Sequence, residues 1–215
     1  MPDIRQTGLL DDFQRADEIP LSWDGRWSPT DSGRWGPMVL KSGTATHKIQ
    51  TGVANDDAWW TSGPSLSGDM EVWGYGVGGG APGVSLALGL FKDVGGSSGA
   101  EVDGYRFRME QTTGGVFYIL YRFDNGTATQ IAGGTGGSIN LMLMRLKGND
   151  VECWTDSTGT GLSASLILST ADPTYRTGLR LTMGCNSNSN DQLTAWEGFG
   201  GGKKNRSQIV RWPSN

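Results

Sequence analysis

Alternation of apolar and polar residues with a period of two is the sequence feature that most constrains the fold of this chain. No helical period is sustained anywhere, and turn signals such as DNG at 124–126 and KGND at 147–150 separate the alternating runs. The alternation predicts strands at 68–77, 84–91, 103–111, 115–123, 140–147, 150–155, 162–169, 178–185 and 193–199, with weaker ones at 9–15, 37–41, 45–51, 57–61 and 127–132. This many short strands without helices predict an all-β fold, either a two-sheet sandwich or a barrel.

The composition bounds the class of protein. The 215 residues suffice for one domain with a full core, and the 35 glycines follow no collagen period, so they indicate turns and bulges. The net charge of −4, with acidic and basic residues mixed, argues against a nucleic-acid partner. No apolar run approaches the roughly 20 residues of a membrane span, so we expect no membrane insertion.

Two of the predicted strands are apolar on both faces, whereas a sandwich strand packed on one side should show polar residues on the other. The apolar residues of 115–123 and 140–147 divide between the two faces as follows: Phe117, Ile119, Tyr121 and Phe123 against Tyr118 and Leu120, and Leu141 and Leu143 against Met142 and Met144. Such strands require additional cover, which a ligand groove, a loop or another chain would supply.

The two ends of the chain differ from its middle. A triple glycine near residue 200 leads into the basic stretch KKNR and the apolar segment IVRWPSN. We therefore predict an N-terminal arm at 1–8, a single β domain at 9–200 and a C-terminal extension at 201–215.

The sequence offers no nucleophilic triad. The one histidine, His47, lies in a polar stretch, and neither Cys153 nor Cys185 has a context that would activate it. The two cysteines indicate small strand residues in a reducing compartment, and the sequence leaves open whether they pair. The first residues lack the apolar core of a signal peptide, so we expect synthesis in a cytoplasm.

Several segments together resemble the concanavalin A-like jelly rolls of the laminin-G type. The resemblance covers about 10–200 and is carried by these segments: DDFQRAD at 11–17, DGYRFRME, TQIAGG at 129–134, LMLMRLKGNDVECWTDSTG, LSASLILSTADPTYRTGLRLTMGC and AWEGF at 195–199. It implies two packed antiparallel sheets, one of them concave. Lectins, laminarinases, adhesion modules and viral coat components share this fold, so the fold alone does not choose a function.

The stretch EVDGYRFRME at 101–110 is the one to compare with the catalytic strand of laminarinase-like enzymes. Laminarinase-like enzymes carry three carboxylates on one strand, as Glu-x-Asp-x-Glu or Glu-x-Asp-x-x-Glu, whereas here Tyr105 or Arg106 stands at the third position. Glu110 has the opposite parity to Glu101 and Asp103, so a regular strand places it on the other face. We therefore expect a structural strand, no catalytic residues and no enzymatic activity.

Aromatic residues are the candidate sugar-binding groups. The chain has nine tryptophans, and aromatic rings on a concave sheet stack against sugar rings. The candidates are Trp59, Trp60, Trp73 and Tyr75, of which the last two share a strand face. The alternative interpretation is that these rings fill the core or a subunit interface.

A structural calcium ion is the one cofactor that the resemblance implies. In related jelly rolls a cation ties the first strand to the last, and Asp11 or Asp12 with Glu197 would hold it here by analogy.

Three functions follow from these patterns. The main hypothesis is a non-enzymatic virion protein of a bacteriophage, a minor tail or capsid-surface component that contacts neighbouring virion proteins, other copies of itself or a host-surface glycan. It accounts for the missing signal peptide, the missing catalytic residues and the two arms, and the composition resembles that of minor tail proteins. The alternatives are a carbohydrate-binding module and, third, a laminarinase-like glycoside hydrolase.

Overall fold

The computed structural model describes residues 5–18, 21–22, 24–29, 36–46, 54–61, 65–78, 82–92, 103–137, 139–187 and 194–203. Within these ranges the side chains of 29, 36–37, 41, 54–59, 77–78, 186–187 and 194 are outside the description. No helix in the described ranges has the length and apolar character that crossing a membrane requires.

The described chain consists of strands joined by turns. In chain order they are β1 Leu9–Asp11, β2 Trp27–Pro29, β3 Gly36–Pro37, β4 Val39–Lys41, β5 Thr44–Thr46, β6 Ala54–Trp60, β7 Leu66–Ser67, β8 Met70–Gly78, β9 Val84–Lys92, β10 Gly104–Thr112, β11 Gly115–Asp124, β12 Thr127–Gly136, β13 Leu141–Lys147, β14 Asp150–Asp156, β15 Ser165–Ala171, β16 Thr177–Ser187 and β17 Thr194–Lys203.

These strands form two packed sheets. Sheet I has the order β15-β14-β13-β8-β17-β5-β4, with β1 added to β17. Sheet II has the order β12-β11-β10-β9-β16-β6-β2, with β3 added to β6 and β7 added to β16. Every pairing is antiparallel except that of β3 with β6. The predicted all-β, two-sheet jelly-roll sandwich is confirmed.

The core lies between the sheets and follows the predicted alternation. Met70 and Val72 of β8 point into it, and so do Met142 and Met144 of β13. Trp196 of β17 is fully buried at its centre, where its Nε1 donates to the carbonyl of Gly184 at 3.0 Å. The interior is closely packed, because a Cβ on Gly74 would lie 2.7 Å from the Trp196 ring.

The strands predicted with clear alternation are all present, and the weaker ones differ in their bounds. The predicted strand 9–15 ends at Asp11, because the Asp11 carboxylate accepts a hydrogen bond from the backbone N–H of Phe13, which has a φ of 56°. The predicted strand 127–132 continues to Gly136, because β11 offers pairing partners as far as Val116. β17 runs to Lys203, and the predicted C-terminal extension lies otherwise outside the described residues.

Candidate functional site

The outer face of sheet II is set by the residues that alternate with the core. In β9, Leu86 and Leu88 point into the core, so Ser85, Ala87 and Gly89 point away from it. In the neighbouring strand β16, Thr182 lies opposite Gly89, and Gly184 lies opposite Ala87. The centre of this outer face therefore consists of small residues.

Longer side chains flank this centre on one side. Strand β10 places Arg106, Arg108 and Glu110 opposite Gly89, Ala87 and Ser85. Strand β11 lies behind it, with Tyr121 opposite Arg106 and Ile119 opposite Arg108. We call this surface the sheet II shelf: a floor of Ser85, Ala87, Gly89, Thr182 and Gly184, and a wall of Arg106, Arg108, Glu110, Ile119 and Tyr121. Strand β6 borders the floor on the other side.

The floor lies lower than the wall. Ala87 and Thr182 are only 6% and 3% exposed although they point away from the core. The space above Gly89 is already occupied, since an added Cβ would overlap Thr182 Oγ1 and the Phe91 ring. The hydroxyls of Ser85 and Thr182 are the polar groups of the floor.

The wall carries charge next to this floor. Arg108 Nη2 lies 3.4 Å from Glu110 Oε2, and both side chains are partly exposed. The Nε of Arg108 is buried, and no group in the described part of the chain accepts a hydrogen bond from it. The donors that a bound molecule can reach are therefore those of the exposed part of the Arg108 guanidinium.

Aromatic rings close one end of the wall. Phe91 and Phe123 pack edge to face at 5.3 Å, and Tyr121 lies 6.4 Å from Phe123. The guanidinium of Arg106 lies 5.9 Å from the Phe123 ring centre, within cation–π range. Tyr121 is half-buried, so part of its ring remains available beside the charged groups.

Asp103, one of the acids that suggested a catalytic strand, has structural partners. The Tyr175 hydroxyl lies 2.7 Å from Asp124 Oδ1 and 3.1 Å from Asp103 Oδ1, and Asp103 also accepts from the backbone N–H of Asn125. The hydrogen bond from Tyr175, with those from Arg122, lowers the pKa of Asp124. These contacts hold the turn between β11 and β12 against the end of β10.

The distance between Asp103 and Glu110 also argues against a catalytic carboxylate pair. Glu110 lies seven residues beyond Asp103 along β10, roughly 23 Å at about 3.3 Å per residue. A glycoside hydrolase holds its two carboxyl groups within about 5–9.5 Å of each other. Glu101 and His47 lie outside the described residues.

The outer face of sheet I is covered by the segment Arg5–Gly8, which we call the strap. The guanidinium of Arg5 lies 5.2 Å from the ring centres of both Trp73 and Tyr75. Its Nη2 donates to the carbonyl of Thr160 at 3.0 Å. Under the strap lies an apolar cluster on the outer face of sheet I, formed by Trp73, Tyr75, Leu141, Leu143 and Trp154. The predicted cover of the two-sided strand β13 is therefore supplied in part by the chain itself.

A buried ion pair anchors the strap. Glu71 and Arg145 are almost fully buried, and Arg145 Nη2 lies 2.7 Å from Glu71 Oε2. The other oxygen, Glu71 Oε1, accepts hydrogen bonds from the backbone N–H groups of Gln6 and Thr7 and from the Thr7 hydroxyl. Trp73 Nε1 donates to the same hydroxyl at 3.1 Å.

The four residues predicted to bind sugar do not share one surface. Trp60 of sheet II packs against the core and edge to face against Trp27 at 5.1 Å. Trp73 and Tyr75 belong to sheet I, where Trp73 is 3% exposed beneath the strap and Tyr75 is half-buried. Trp59 lies in β6 opposite Thr182, and its side chain is outside the described part.

The residues predicted to hold calcium do not fit a cation. Asp11 is buried, and its oxygens accept from Arg15 Nη1 at 2.7 Å and from Trp27 Nε1 at 2.7 Å. The guanidinium of Arg15 thus provides the positive charge that a cation would bring. Asp12 accepts from the backbone N–H of Gln14, and Glu197 is exposed. Among the described residues no group of three or more His, Cys, Asp or Glu side chains could hold a metal ion.

The shelf residues were absent from the sequence-based candidates. Their signal is the alternation in RFRME, where Arg106, Arg108 and Glu110 alternate with Phe107 and Met109. The alternation indicates a charged outer face for β10, but it does not indicate that β9 and β16 lie beside it with small residues.

The chain is similar to solved domains of lectin type. The Ca²⁺-bound form of the VIP36 exoplasmic/lumenal domain is 12% identical, with a TM-score of 0.67 over 95% of this chain and 94% of that chain. The CBM2 module of the evolved Dit of Lactobacillus casei BL23 phage J-1 is 11% identical, with a TM-score of 0.62 over 94% of this chain and 95% of that chain.

A third neighbour is the potassium-bound form of the Emp46p carbohydrate recognition domain, 13% identical, with a TM-score of 0.60 over 91% of this chain and 95% of that chain. No protein-family model matches the chain, and neither does any curated protein sequence. At these identities the likeness establishes the fold alone, a lectin-like jelly roll. The laminin-G subtype stays a prediction.

Proposed function

We propose that this chain is a non-catalytic carbohydrate-binding domain and that the sheet II shelf is its binding surface. The observation that carries the proposal is the shelf itself: a floor of small residues beside a wall with a partly exposed guanidinium, a partly exposed carboxylate and a half-buried tyrosine. The similar VIP36 and phage J-1 Dit domains support it, since one is solved in a Ca²⁺/Man2-bound form and the other is a CBM2 module.

The chemistry of the shelf suits a sugar ring. Sugars present hydroxyl groups that both donate and accept, with C–H faces between them. The partly exposed Arg108 guanidinium supplies donors, the Glu110 carboxylate an acceptor, and the Tyr121 ring a surface for stacking. A few placed polar groups around an apolar surface are typical of small-molecule sites.

We further propose that the domain acts on the surface of a bacteriophage particle, where it contacts host glycans. One of the similar structures is a module of a phage Dit protein, which supports this setting. Capsid and tail positions remain alternatives within it. The virion location follows from this proposal and from the predicted arms.

The experiment is a binding screen followed by substitutions on the shelf. The purified full chain is applied to a glycan array and to purified bacterial cell-wall polysaccharides, and the best ligand is measured by calorimetry. Arg108→Ala and Tyr121→Ala should each weaken binding about 5- to 30-fold, since a charged hydrogen bond or a stacking contact contributes roughly 1–2 kcal/mol. Lys147→Ala, an exposed residue of sheet I, is the matched control and should bind like the parent.

Two results would contradict the proposal. The first is the absence of binding to every glycan and polysaccharide tested. The second is binding that both shelf substitutions leave unchanged but that Trp154→Ala abolishes, which would place the site on sheet I. Fluorescently labelled protein applied to intact bacterial cells tests the host contact, and Arg108→Ala should remove the cell-bound signal.

A further inference from the structure

Both sheets end on the same side of the sandwich. Sheet II ends in β12, sheet I ends in β15, and these two strands lie next to each other. The side chain of Leu168 in β15 reaches to within 3.5 Å of where a Cβ on Gly134 of β12 would stand. We call this side of the molecule the β12/β15 edge.

Strand β12 has one feature that protects a sheet edge, a bulge at Ile131, and lacks the others. In the described part of the chain it pairs with β11 only, and it is exposed along most of its ten residues. Its sequence TATQIAGGTG contains no charged residue and no proline. Natural proteins protect edge strands by making them short or by placing charges, prolines or covering segments there, because an open edge pairs with another strand.

The opposite side of the sandwich is protected. There sheet II ends in β2, which has three residues and finishes at Pro29. Sheet I ends in β4, which also has three residues and finishes at Lys41. In contrast, β15 beside β12 has seven residues, SLILSTA, again without charge. The edge strands are therefore short and end in proline or lysine on one side of the sandwich, and they are longer and uncharged on the other side.

Exposed apolar residues collect at the same place. Four large apolar side chains are exposed in the described part of the chain, and three of them lie on or beside the β12/β15 edge. Leu166 is in β15 and is 46% exposed, and Leu162 just before that strand is 47% exposed. Phe117 of β11 is 37% exposed and lies opposite Thr135 of β12.

We propose that the β12/β15 edge is a self-association surface, on which a second copy of this chain adds its own β12 antiparallel to the first. A two-fold axis brings the same strand to itself, so a strand without charges meets no repulsion from its copy. The unpaired N–H and C=O groups of β12 then complete their hydrogen bonds, and Phe117, Leu162 and Leu166 lose solvent exposure at or near the contact.

A consequence follows for the binding surface, and it rests on the proposed function. Strand addition at β12 extends sheet II across the axis, so the two shelves of the dimer lie on one continuous face. Two sites held this way bind a repeating polysaccharide more tightly than either alone.

Solution mass tests the interface without any sugar. Sedimentation equilibrium of the full chain over a concentration series should show a species with twice the 23.0 kDa chain mass. Thr127→Lys with Thr135→Lys places like charges on both copies of β12 and should weaken the association at least ten-fold. Ser28→Lys makes the same type of change on the protected edge strand β2 and should leave the association unchanged.

Cross-linking tests the pairing of β12 with itself. The native Cys153 and Cys185 are buried, so a cysteine introduced on β12 is the accessible thiol. Among Thr127→Cys, Thr129→Cys and Thr135→Cys, oxidation should give a covalent dimer at the position closest to the axis and less at the others. Ser28→Cys should stay monomeric.

The proposal is overturned by a chain that stays monomeric up to its solubility limit. It is equally overturned by a dimer that the lysine pair leaves intact and that Ser28→Lys dissociates, or by cross-linking at Ser28→Cys alone. A monomer that binds glycan would overturn the proposed interface and leave the proposed function unaffected. A dimer that binds no glycan would support the interface and contradict the proposed function.

Discussion

Tyr105 shows how much one buried polar group organises in this fold. Its hydroxyl lies 2.9 Å from Asp172 Oδ1 and accepts from the backbone N–H of Tyr175 at 3.2 Å. Asp172 in turn accepts from Arg122 Nη1 at 3.0 Å. Burial, with a smaller effect of the Asp172 carboxylate, raises the pKa of Tyr105 to about 12.

Replacing Tyr105 by Phe should lower the free energy of unfolding by about 1–2 kcal/mol at neutral pH, because Asp172 loses a buried hydrogen-bond donor. The raised pKa of Tyr105 also sets the direction in which the free energy of unfolding changes with pH. The folded pKa is raised above the ordinary value of about 10, so this residue's stabilisation is complete below pH 10 and is lost as the pH rises through 12.

Urea unfolding of the parent and the Tyr105→Phe variant between neutral pH and pH 12 measures both effects. The variant should lose stability less steeply above pH 10 than the parent. Tyr121→Phe on the outer face is the matched control and should keep the parent's slope. Equal slopes for the parent and Tyr105→Phe would contradict the assignment.

At the scale of an element, the strap also contacts one buried polar side chain that several groups share. The middle of the strap, Gln6 and Thr7, is bound by one carboxylate, Glu71, whose second oxygen pairs with Arg145. Glu71→Gln keeps the shape and removes the charge. The buried guanidinium of Arg145 then loses the charge of the Glu71 carboxylate, which should cost roughly 3 kcal/mol of unfolding free energy.

Chemical denaturation measures that loss, and limited trypsin digestion reports on the strap. Cleavage after Arg5 should be faster in Glu71→Gln than in the parent, because the hydrogen bonds to Gln6 and Thr7 are weakened. Asp150→Asn, at the exposed first residue of β14, should change stability by less than about 0.5 kcal/mol. A Glu71→Gln variant as stable and as resistant as the parent would refute this role.

Element bounds were predictable where pairing and alternation agree. The runs now seen as β8 to β11 and β13 to β17 alternate clearly, and each lies within a few residues of its predicted bounds. The strands β1 and β12 were harder to bound, because a turn at Asp11 shortens the first and pairing with β11 carries the second past two glycines.

At the scale of the whole molecule, the two cysteines report on the integrity of the sandwich. Cys153 and Cys185 are both buried and carry thiols, and burial raises the pKa of Cys153 well above its ordinary value. The thiolate is the reactive form, so both burial and pKa slow its reaction.

A thiol reagent such as Ellman's should therefore label neither cysteine of the native chain quickly and both in urea. The labelling rate in native buffer should follow global unfolding. A Thr113→Cys variant, with its thiol in the exposed β10–β11 turn, is the positive control and should add one fast equivalent. A native cysteine that reacts as fast as that control would show local opening of the sandwich.

The sequence by itself determined the clearly alternating strands, the face to which their residues point and the absence of a carboxylate pair on β10. These are local properties, since a period of two needs only neighbours along the chain. It also indicated that β11 and β13 need cover on both faces.

Only the tertiary structure decided which residues cover the outer faces of these strands. It also decided which outward-facing residues of different strands lie side by side. Arg5 contacts Thr160, 155 positions away, and Thr182 lies beside Gly89. Trp60 packs against the core, Trp73 lies beneath the strap, and Asp11 pairs with Arg15. Such contacts depend on strand order, and alternation along one strand carries no information about which strand lies next to it.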